Sequence, residues 1–277
     1  MKRLICDCVA DRHIHPDYSF DARGSIDDYC RAAVGIGLLE ICFTPHFDAD
    51  PARIDHEGYM IIDGRKTALS EDTVQHYMDN VRRAYAEYGQ MGLTVSGGLE
   101  FGYFPGCEKV ISQLQSKIEL DWNLGAVHGI GDLCLCEKED ALKLFEKYTL
   151  EQLADRYFEM LDRCAATGLF NCLAHLDIYR RFGLEYYGEE VMTIHRGRIG
   201  KLFETMNKHH VGYELNTSAI RHGHYEYYPN MEIVNMARAA GTPLISLGSD
   251  AHSPGQLALD FDAASAVAYE LVPYVDE

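Results

Sequence analysis

No stretch of this chain approaches the roughly 18 consecutive apolar residues that a membrane-spanning helix needs. The opening run Met1-Lys2-Arg3-Leu4-Ile5-Cys6-Asp7 meets an acid too early to form the apolar core of a signal peptide, so a soluble cytoplasmic protein is expected. Cys-x-x-Cys spacing is missing as well. The 9 cysteines are scattered and odd in number, which argues against a disulfide framework and suits reduced thiols in the cytosol. Two Cys-x-Cys pairs, Cys6/Cys8 and Cys134/Cys136, have the chemistry for a soft metal, although Cys6 and Cys8 fall where strand core is expected. Basic charge is scarce: 25 Lys and Arg face 43 Asp and Glu, and a net charge of −18 disfavours nucleic acid or an anionic membrane surface as a partner. An anionic substrate would need local positive charge, which divalent ions supply. No Gly-x-Gly-x-x-Gly follows the first apolar run, so a dinucleotide-binding sheet is poorly supported. Internal repeats, low-complexity segments and linker-like boundaries are absent too.

What the chain does contain is a rhythm. Seven apolar runs read as strands: Leu4 to Ala10, Leu38 to Phe43, Leu93 to Leu99, Trp122 to Val127, Leu169 to Ala174, His210 to Leu215 and Pro243 to Leu247. Helical patterns follow them. Ser25 and Ser70 stand as N-caps before helices running to Val34 and Tyr88, and further helices are expected at about 107–117, 150–167, 192–209, 231–240 and 262–271. The stretch 48–69 has little periodicity and reads as an irregular excursion near the strand ends. Seven strand-then-helix units across 1–277, with 47% hydrophobic residues to fill a core, predict a single α/β domain, a (β/α)7 barrel with helices outside. An open doubly wound sheet is the alternative.

In such a barrel the C-terminal strand ends share one face, and that face carries the active site. The predicted strand ends deliver His13, His15, His46, Glu100, His128, His175, Asp250 and His252, with Asp21 a few residues beyond the opening pair. His-x-His at a strand end sends two imidazoles to the same side. A lone pair of this kind is common and mostly idle, and His46, His128 or Glu100 taken singly has a structural reading. Jointly, six imidazoles and several carboxylates on one face would repel or lose their charges without bound cations. A polynuclear metal site follows. His76, inside a helical pattern, reads as surface or packing.

The order Asp11-x-His13-x-His15, Thr44-Pro45-His46, Gly98-Leu99-Glu100, Val127-His128, Ala174-His175-Leu176-Asp177 and Gly248-Ser249-Asp250-Ala251-His252 resembles the successive motifs of the PHP (polymerase and histidinol phosphatase) superfamily, over nearly the whole chain. Within it, His128-Gly-Ile-Gly-Asp132, His175-Leu-Asp177 and Glu214-Leu-Asn216-Thr-Ser-Ala-Ile-Arg221 are most similar to the histidinol-phosphate phosphatases. The resemblance implies a distorted seven-unit barrel holding three divalent ions, whether zinc, manganese or iron. His13, His15, Glu100 and Asp250 would hold the first. Glu100 would bridge to a second, held also by His128 and His175, and Asp21, His46 and His252 would hold the third. Two positions depart from the pattern: Thr44-Pro45 stands where an acid often precedes the histidine, and Asp21 where some members carry histidine.

The implied activity is hydrolysis of a small-molecule phosphate monoester, most closely L-histidinol phosphate of histidine biosynthesis, by in-line attack of a metal-bound hydroxide without a covalent phosphoenzyme. No side chain is assigned to catalysis beyond that hydroxide, and no donor to the leaving alkoxide is visible. Arginine forks match phosphate bidentately, and Arg181 and Arg221 sit where the resemblance places phosphate-binding groups, with Arg180 an alternative to Arg181. A cationic substrate tail would suit acids such as Asp48, Asp50, Asp177 or Glu226. Two other readings stay open: a PHP hydrolase of another monoester (phosphoprotein, nucleotide or sugar phosphate), and a non-catalytic metal-binding module.

Overall fold

Seven strands follow one another in chain order around a nearly closed barrel: β1 (Ala10–Ile14), β2 (Glu40–Phe43), β3 (Thr94–Gly102), β4 (Trp122–Ala126), β5 (Cys172–Leu173), β6 (Gly212–Asn216) and β7 (Leu244–Gly248). The computed structural model describes residues 10–271. Each neighbouring pair is parallel, and a parallel bridge between Ile14 and Ala251 brings the exit of β7 back to β1. Parallel neighbours need long crossovers, and helices supply them. The barrel helices are Ile26–Ile36, Glu71–Tyr88, Glu108–Gln115, Leu150–Ala166, Ile199–His209, Met231–Ala240 and Phe261–Leu271. Ser25, Ser70 and Thr149 open three of them, each side-chain oxygen accepting the backbone N–H three residues on. None of the described helices is long and apolar enough to cross a membrane.

Strand alternation separates core from site. On β3, Leu99 and Phe101 are completely buried on one side, while Glu100 between them points to the other. The apolar layer between strands and helices includes Ile41, Phe43, Tyr77 and Leu161, all fully buried, and the Tyr77 hydroxyl donates to the Phe43 carbonyl at 2.8 Å.

Several elements differ from the sequence expectations. Leu4 to Val9, most of the first expected strand, lie outside the described residues, as do Cys6 and Cys8; the described strand starts at Ala10 and carries His13 within it. The excursion at 48–69 is not irregular throughout. It holds a short helix, Ile54–Glu57, and an antiparallel hairpin of Tyr59–Ile62 with Arg65–Ala68. Asp63-Gly64 forms its two-residue turn with φ of 50° and 73°, the left-handed pair that an Asp-Gly hairpin turn requires. The expected helix 192–209 is broken: a 3-10 helix, Gly188–Thr193, precedes the α-helix Ile199–His209. Helices Lys138–Lys147 and Arg180–Tyr187 were not expected, although Ala141, Leu144 and Phe145 mark a buried face at helical spacing.

A buried carboxylate secures the closure. Asp11, fully buried, accepts the backbone N–H of Ser249 and of Ala258, each at 3.0 Å, so the segment that follows β7 is tied to β1 at two points. Burial pushes its carboxyl up to about 6, against the pull of Ser249. The Tyr29 hydroxyl adds a second clasp, within 2.8 Å of the His15 carbonyl and 3.1 Å of the Ala251 carbonyl. Asp11→Ala strands the N–H groups that its oxygens accept, and the expected loss is about 2–4 kcal/mol of unfolding free energy by urea titration. A loss below about 0.5 kcal/mol, the range of ordinary surface substitutions, would contradict this latch.

Candidate metal centre

The strand ends converge as the barrel requires. His13 lies within β1 and His15 just past it, both completely buried, with Glu100 on β3 at 1% exposure. His46 begins a two-residue strand, His46–Phe47, paired with β3 directly opposite Glu100. His128 follows β4, His175 follows β5, and Asp250 and His252 follow β7. His175 and Asp250 have φ of 25° and 52°, backbone conformations that non-glycine residues rarely adopt and that concentrate where a site dictates side-chain direction.

Four of these groups form one tight set. His13 Nε2 lies 3.0 Å from His15 Nε2, 3.4 Å from a Glu100 oxygen and 3.7 Å from Asp250 Oδ1; His15 Nε2 is 3.5 Å from the other Glu100 oxygen and 3.4 Å from Asp250 Oδ1. Ligands at about 2.0–2.2 Å around a tetrahedral ion stand roughly 3.3–3.6 Å apart, so the spacing fits one shared cation. On the next side, His128 Nε2 and His175 Nε2 approach Glu100 Oε1 at 3.1 and 2.9 Å. Asp21 Oδ2 lies 3.6 Å from His46 Nε2 and 3.3 Å from His252 Nε2.

The three sets are less separate than the resemblance implied. His46 turns Nε2 to Asp21 but Nδ1 to Glu100, 2.9 Å away, and His15 groups with His46 and His252 as well as with His13 and Glu100. The contact between His46 Nδ1 and Glu100 Oε2 is short, yet neither buried atom makes a hydrogen bond. A ring nitrogen and a carboxylate oxygen brought this close in a geometry that makes no hydrogen bond suit a shared cation, so the residues present fit divalent metal ions.

Electrostatics ready Glu100 and His15 for a cation, whereas His13, His46 and His128 hold protons that a bound ion would displace. Burial opposes charge on His13, but the carboxylates of Glu214, Glu100 and Asp250 outweigh it and raise its pKa well above the ordinary value. Burial would likewise keep Glu100 protonated, yet His128 and His13 hold it well below the usual carboxylate range. His15, by contrast, is pulled down to about 3 by burial and by His46 and His252. Neutral imidazole and ionised carboxylate are the states that ligate metal.

Sequence reasoning missed the outer support. Glu214 on β6, completely buried, sits 3.0 Å from His13 Nδ1 and accepts the His175 backbone N–H at 3.1 Å and Asn216 Nδ2 at 2.8 Å. It is a carboxylate that orients one candidate ligand by its outer nitrogen and another by its backbone. The signal was present: one acid inside the apolar run Val211 to Leu215. Gly248 opposite is obligatory, because a Cβ there would stand 2.4 Å from Glu214 Oε2 and 2.7 Å from the His13 Cβ. Asp48 does for His128 what Glu214 does for His13, with Oδ1 3.3 Å from His128 Nδ1. Ser19 Oγ, 3.2 Å from His15 Nδ1, also accepts the His46 N–H.

The arginine and acid candidates divide. Arg221 is half-buried; its Nη2 donates to the Asp250 carbonyl at 2.9 Å, and buried Nη1 has no hydrogen-bond partner among the described residues. Arg181 is half-buried against Phe182 and pairs with no described carboxylate. Arg180 is corrected as an alternative: it is fully buried, paired with Asp177 at 2.7 Å and donating to the Tyr227 carbonyl. The same pair removes Asp177 from the acids facing a substrate, since its other contact is the Asn230 N–H at 2.9 Å. Asp48 and Asp50 line a cavity of about 150 Å³ with Tyr103 and His128. His76 is exposed, as expected. Cys134 and Cys136 sit together, the Cys136 N–H donating to Cys134 Sγ, and Cys134 lies near Glu57 and Glu137; the Arg53 guanidinium already bridges those two carboxylates.

Fold and site together define an α/β barrel with a His- and carboxylate-lined centre at its strand ends. The PHP domain pattern matches residues 11–218, and the chain belongs to that family. It is 27% identical over 253 residues to a probable histidinol-phosphatase of Deinococcus radiodurans, covering 91% of this chain and 90% of that protein. It is 24% identical to a histidinol-phosphatase of Lactococcus lactis, over 87% and 83% of the two chains. A crystal structure of the Lactococcus lactis histidinol phosphate phosphatase with zinc, L-histidinol and phosphate superposes with a TM-score of 0.75 at 19% identity, covering 95% of this chain and 93% of that one. A putative histidinol phosphatase from Listeria monocytogenes gives 0.74 at 17%, over 92% and 99%.

Glu214→Gln replaces one accepting oxygen by a donor facing His13 Nδ1 or the His175 N–H. Metal affinity of the folded protein, measured by competition with a chromophoric chelator, is expected to fall about 10–100-fold. Unchanged affinity would reduce Glu214 to a packing residue.

Proposed function

We propose that this protein is a metal-dependent phosphomonoesterase of the cytoplasm whose substrate is L-histidinol phosphate. The observation that carries the reading is the convergence of His13, His15, His46, His128 and His175 on the two oxygens of the buried Glu100. His13, His15, Glu100 and Asp250 would hold a first divalent ion, Glu100, His128 and His175 a second, and Asp21, His46 and His252 a third, with His15 and His46 placed to shift between neighbouring ions. Zinc, manganese and iron all suit this mixed nitrogen and oxygen set. When bound, such ions lower the pKa of water towards neutrality and offset charge on phosphoryl oxygens.

The chain's own residues do the rest. Glu214, Asp48 and Ser19 fix imidazole directions from behind, so the ligand geometry exists before substrate arrives. Arg221, anchored on the Asp250 carbonyl by one nitrogen, keeps the other for a phosphoryl oxygen, and Arg181, which pairs with no described carboxylate, offers a second guanidinium. Asp48 and Asp50 line a cavity beside His128 that suits the amine or imidazole end of the substrate. Curated relatives over most of the chain bear the histidinol-phosphatase name, which supports this substrate over other monoesters.

Protein loaded with manganese or zinc is expected to release inorganic phosphate from L-histidinol phosphate, to stop after chelation, and to recover on metal return. Glu100→Ala is expected to lower kcat/KM by about 10³-fold or more, since it removes a group shared between ions. Turnover that survives complete chelation would overturn the metal assignment, and a much higher kcat/KM for another phosphomonoester would overturn the substrate.

A further inference from the structure

Beyond Arg221 the chain runs out from β6 and returns to it: Asn216 and Tyr228 exchange both backbone hydrogen bonds, at 2.7 and 3.0 Å, closing residues 217–227 into a loop over the strand-end face. Several polar side chains of this loop, and that of Tyr228 which closes it, carry an unpaired atom. Thr217 Oγ1, Arg221 Nη1, His222 Nδ1, His224 Nε2 and Tyr228 Oη are all buried, and none has a hydrogen-bond partner among the described residues. Buried polar atoms normally pair, so a group of unpaired ones along one loop needs a cause, and a role in binding a ligand is one. His224 is 7% exposed, which makes its free nitrogen expensive unless something meets it.

The surroundings define what that something is. His222 and His224 flank the Tyr228 ring, at 6.3 and 5.6 Å between centroids, and the Arg180 guanidinium lies over the same ring at 4.9 Å. Arg180 is neutralised by Asp177, but Arg181 beside it meets no carboxylate among the described residues. Burial first, and then Arg181, depress the proton affinity of His222 to about 4; burial, Arg180 and Arg181 do the same for His224. Asp250 pulls the other way on His222, and it belongs to the metal-ligand set. Donors and positive charge therefore predominate on this side of the centre, on a protein whose net charge is −18. A tetrahedral dianion has the acceptors that such a set lacks.

We propose that His222 and His224 complete the phosphate cradle, each donating a hydrogen bond to the phosphoryl group alongside Arg221 and Arg181. Neutral imidazole suffices, because it carries one N–H and the tautomer follows the partner. This rests on the phosphomonoesterase reading and adds the two residues that bind the phosphate end. They are binding residues, separate from the ligands that would hold metal.

The test measures inorganic phosphate binding to the zinc-loaded protein by calorimetry, which needs no turnover. His222→Ala and His224→Ala are each expected to weaken phosphate about tenfold, with zinc content unchanged. His222→Asn and His224→Gln, which return a donor near the lost nitrogen, are expected to recover most of that loss; a purely structural role would not follow donor identity. Should an alanine variant fail to fold, ¹⁵N-histidine spectra of the wild-type zinc protein give the answer, with the Asn and Gln variants assigning the signals. Both ring resonances are expected to shift on phosphate addition. Wild-type affinity in the folded alanine variants, or static resonances on saturation, would overturn the proposal. Phosphate binding that depends on both histidines, in a protein that leaves L-histidinol phosphate intact, would support the cradle while overturning the substrate.

Discussion

One buried carboxylate sets the terms for the whole strand-end face. Glu100 is 1% exposed and has five imidazoles within 3.5 Å of its oxygens. Removing a carboxylate from water costs several kcal/mol, and an unpaired one would take up a proton instead. The surrounding histidines resolve this only partly, because they repel one another once charged; His15 is driven neutral by burial and by His46 and His252. Divalent cations resolve it fully, satisfying the carboxylate and letting the imidazoles stay neutral. Stability and function are thus coupled at a single group.

The barrel serves that group by bringing ends of distant segments together. Register on β3 makes Glu100 face the site while Leu99 and Phe101 enter the core, and the pairing of His46 opposite Glu100 delivers the next imidazole without freedom to wander. Asp11 plays the corresponding part at the seam, where β1 must meet the segment after β7 for His13 and His15 to reach Asp250 and His252. Behind the ligands, Glu214, Asp48 and Gly248 show how little tolerance remains: an added methyl at Gly248 would displace both a candidate ligand and its supporting acid. Rigid backing of this kind orients ligands before the reaction begins.

Much of this was readable in the sequence because barrels advertise their active face. His46, Glu100, His128, His175 and Asp250 each follow a short apolar run, and strand-end polarity is a local signal. What escaped was non-local or misjudged. Glu214 interrupts an apolar run, but nothing in sequence says which histidine it meets across 201 residues. Arg180 and Arg181 are equivalent in one dimension; helix Arg180–Tyr187 separates them, burying Arg180 with Asp177 and leaving Arg181 half-buried against Phe182 with no described carboxylate. The hairpin at 59–68 had a legible Asp-Gly turn that the weak periodicity of its flanks obscured. His222 and His224 carried no motif at all, and only the unpaired nitrogens in the folded chain single them out.

The most direct measurement is anomalous diffraction at the metal edge from crystals of the zinc- or manganese-loaded protein. Scattering peaks are predicted within about 2.0–2.3 Å of His13 Nε2, His15 Nε2 and a Glu100 oxygen, with further peaks shared by Glu100, His128 and His175 and by Asp21, His46 and His252. Fully loaded crystals with no peak among these groups, and with Glu100 still meeting the imidazoles directly, would contradict a metal centre built around this carboxylate.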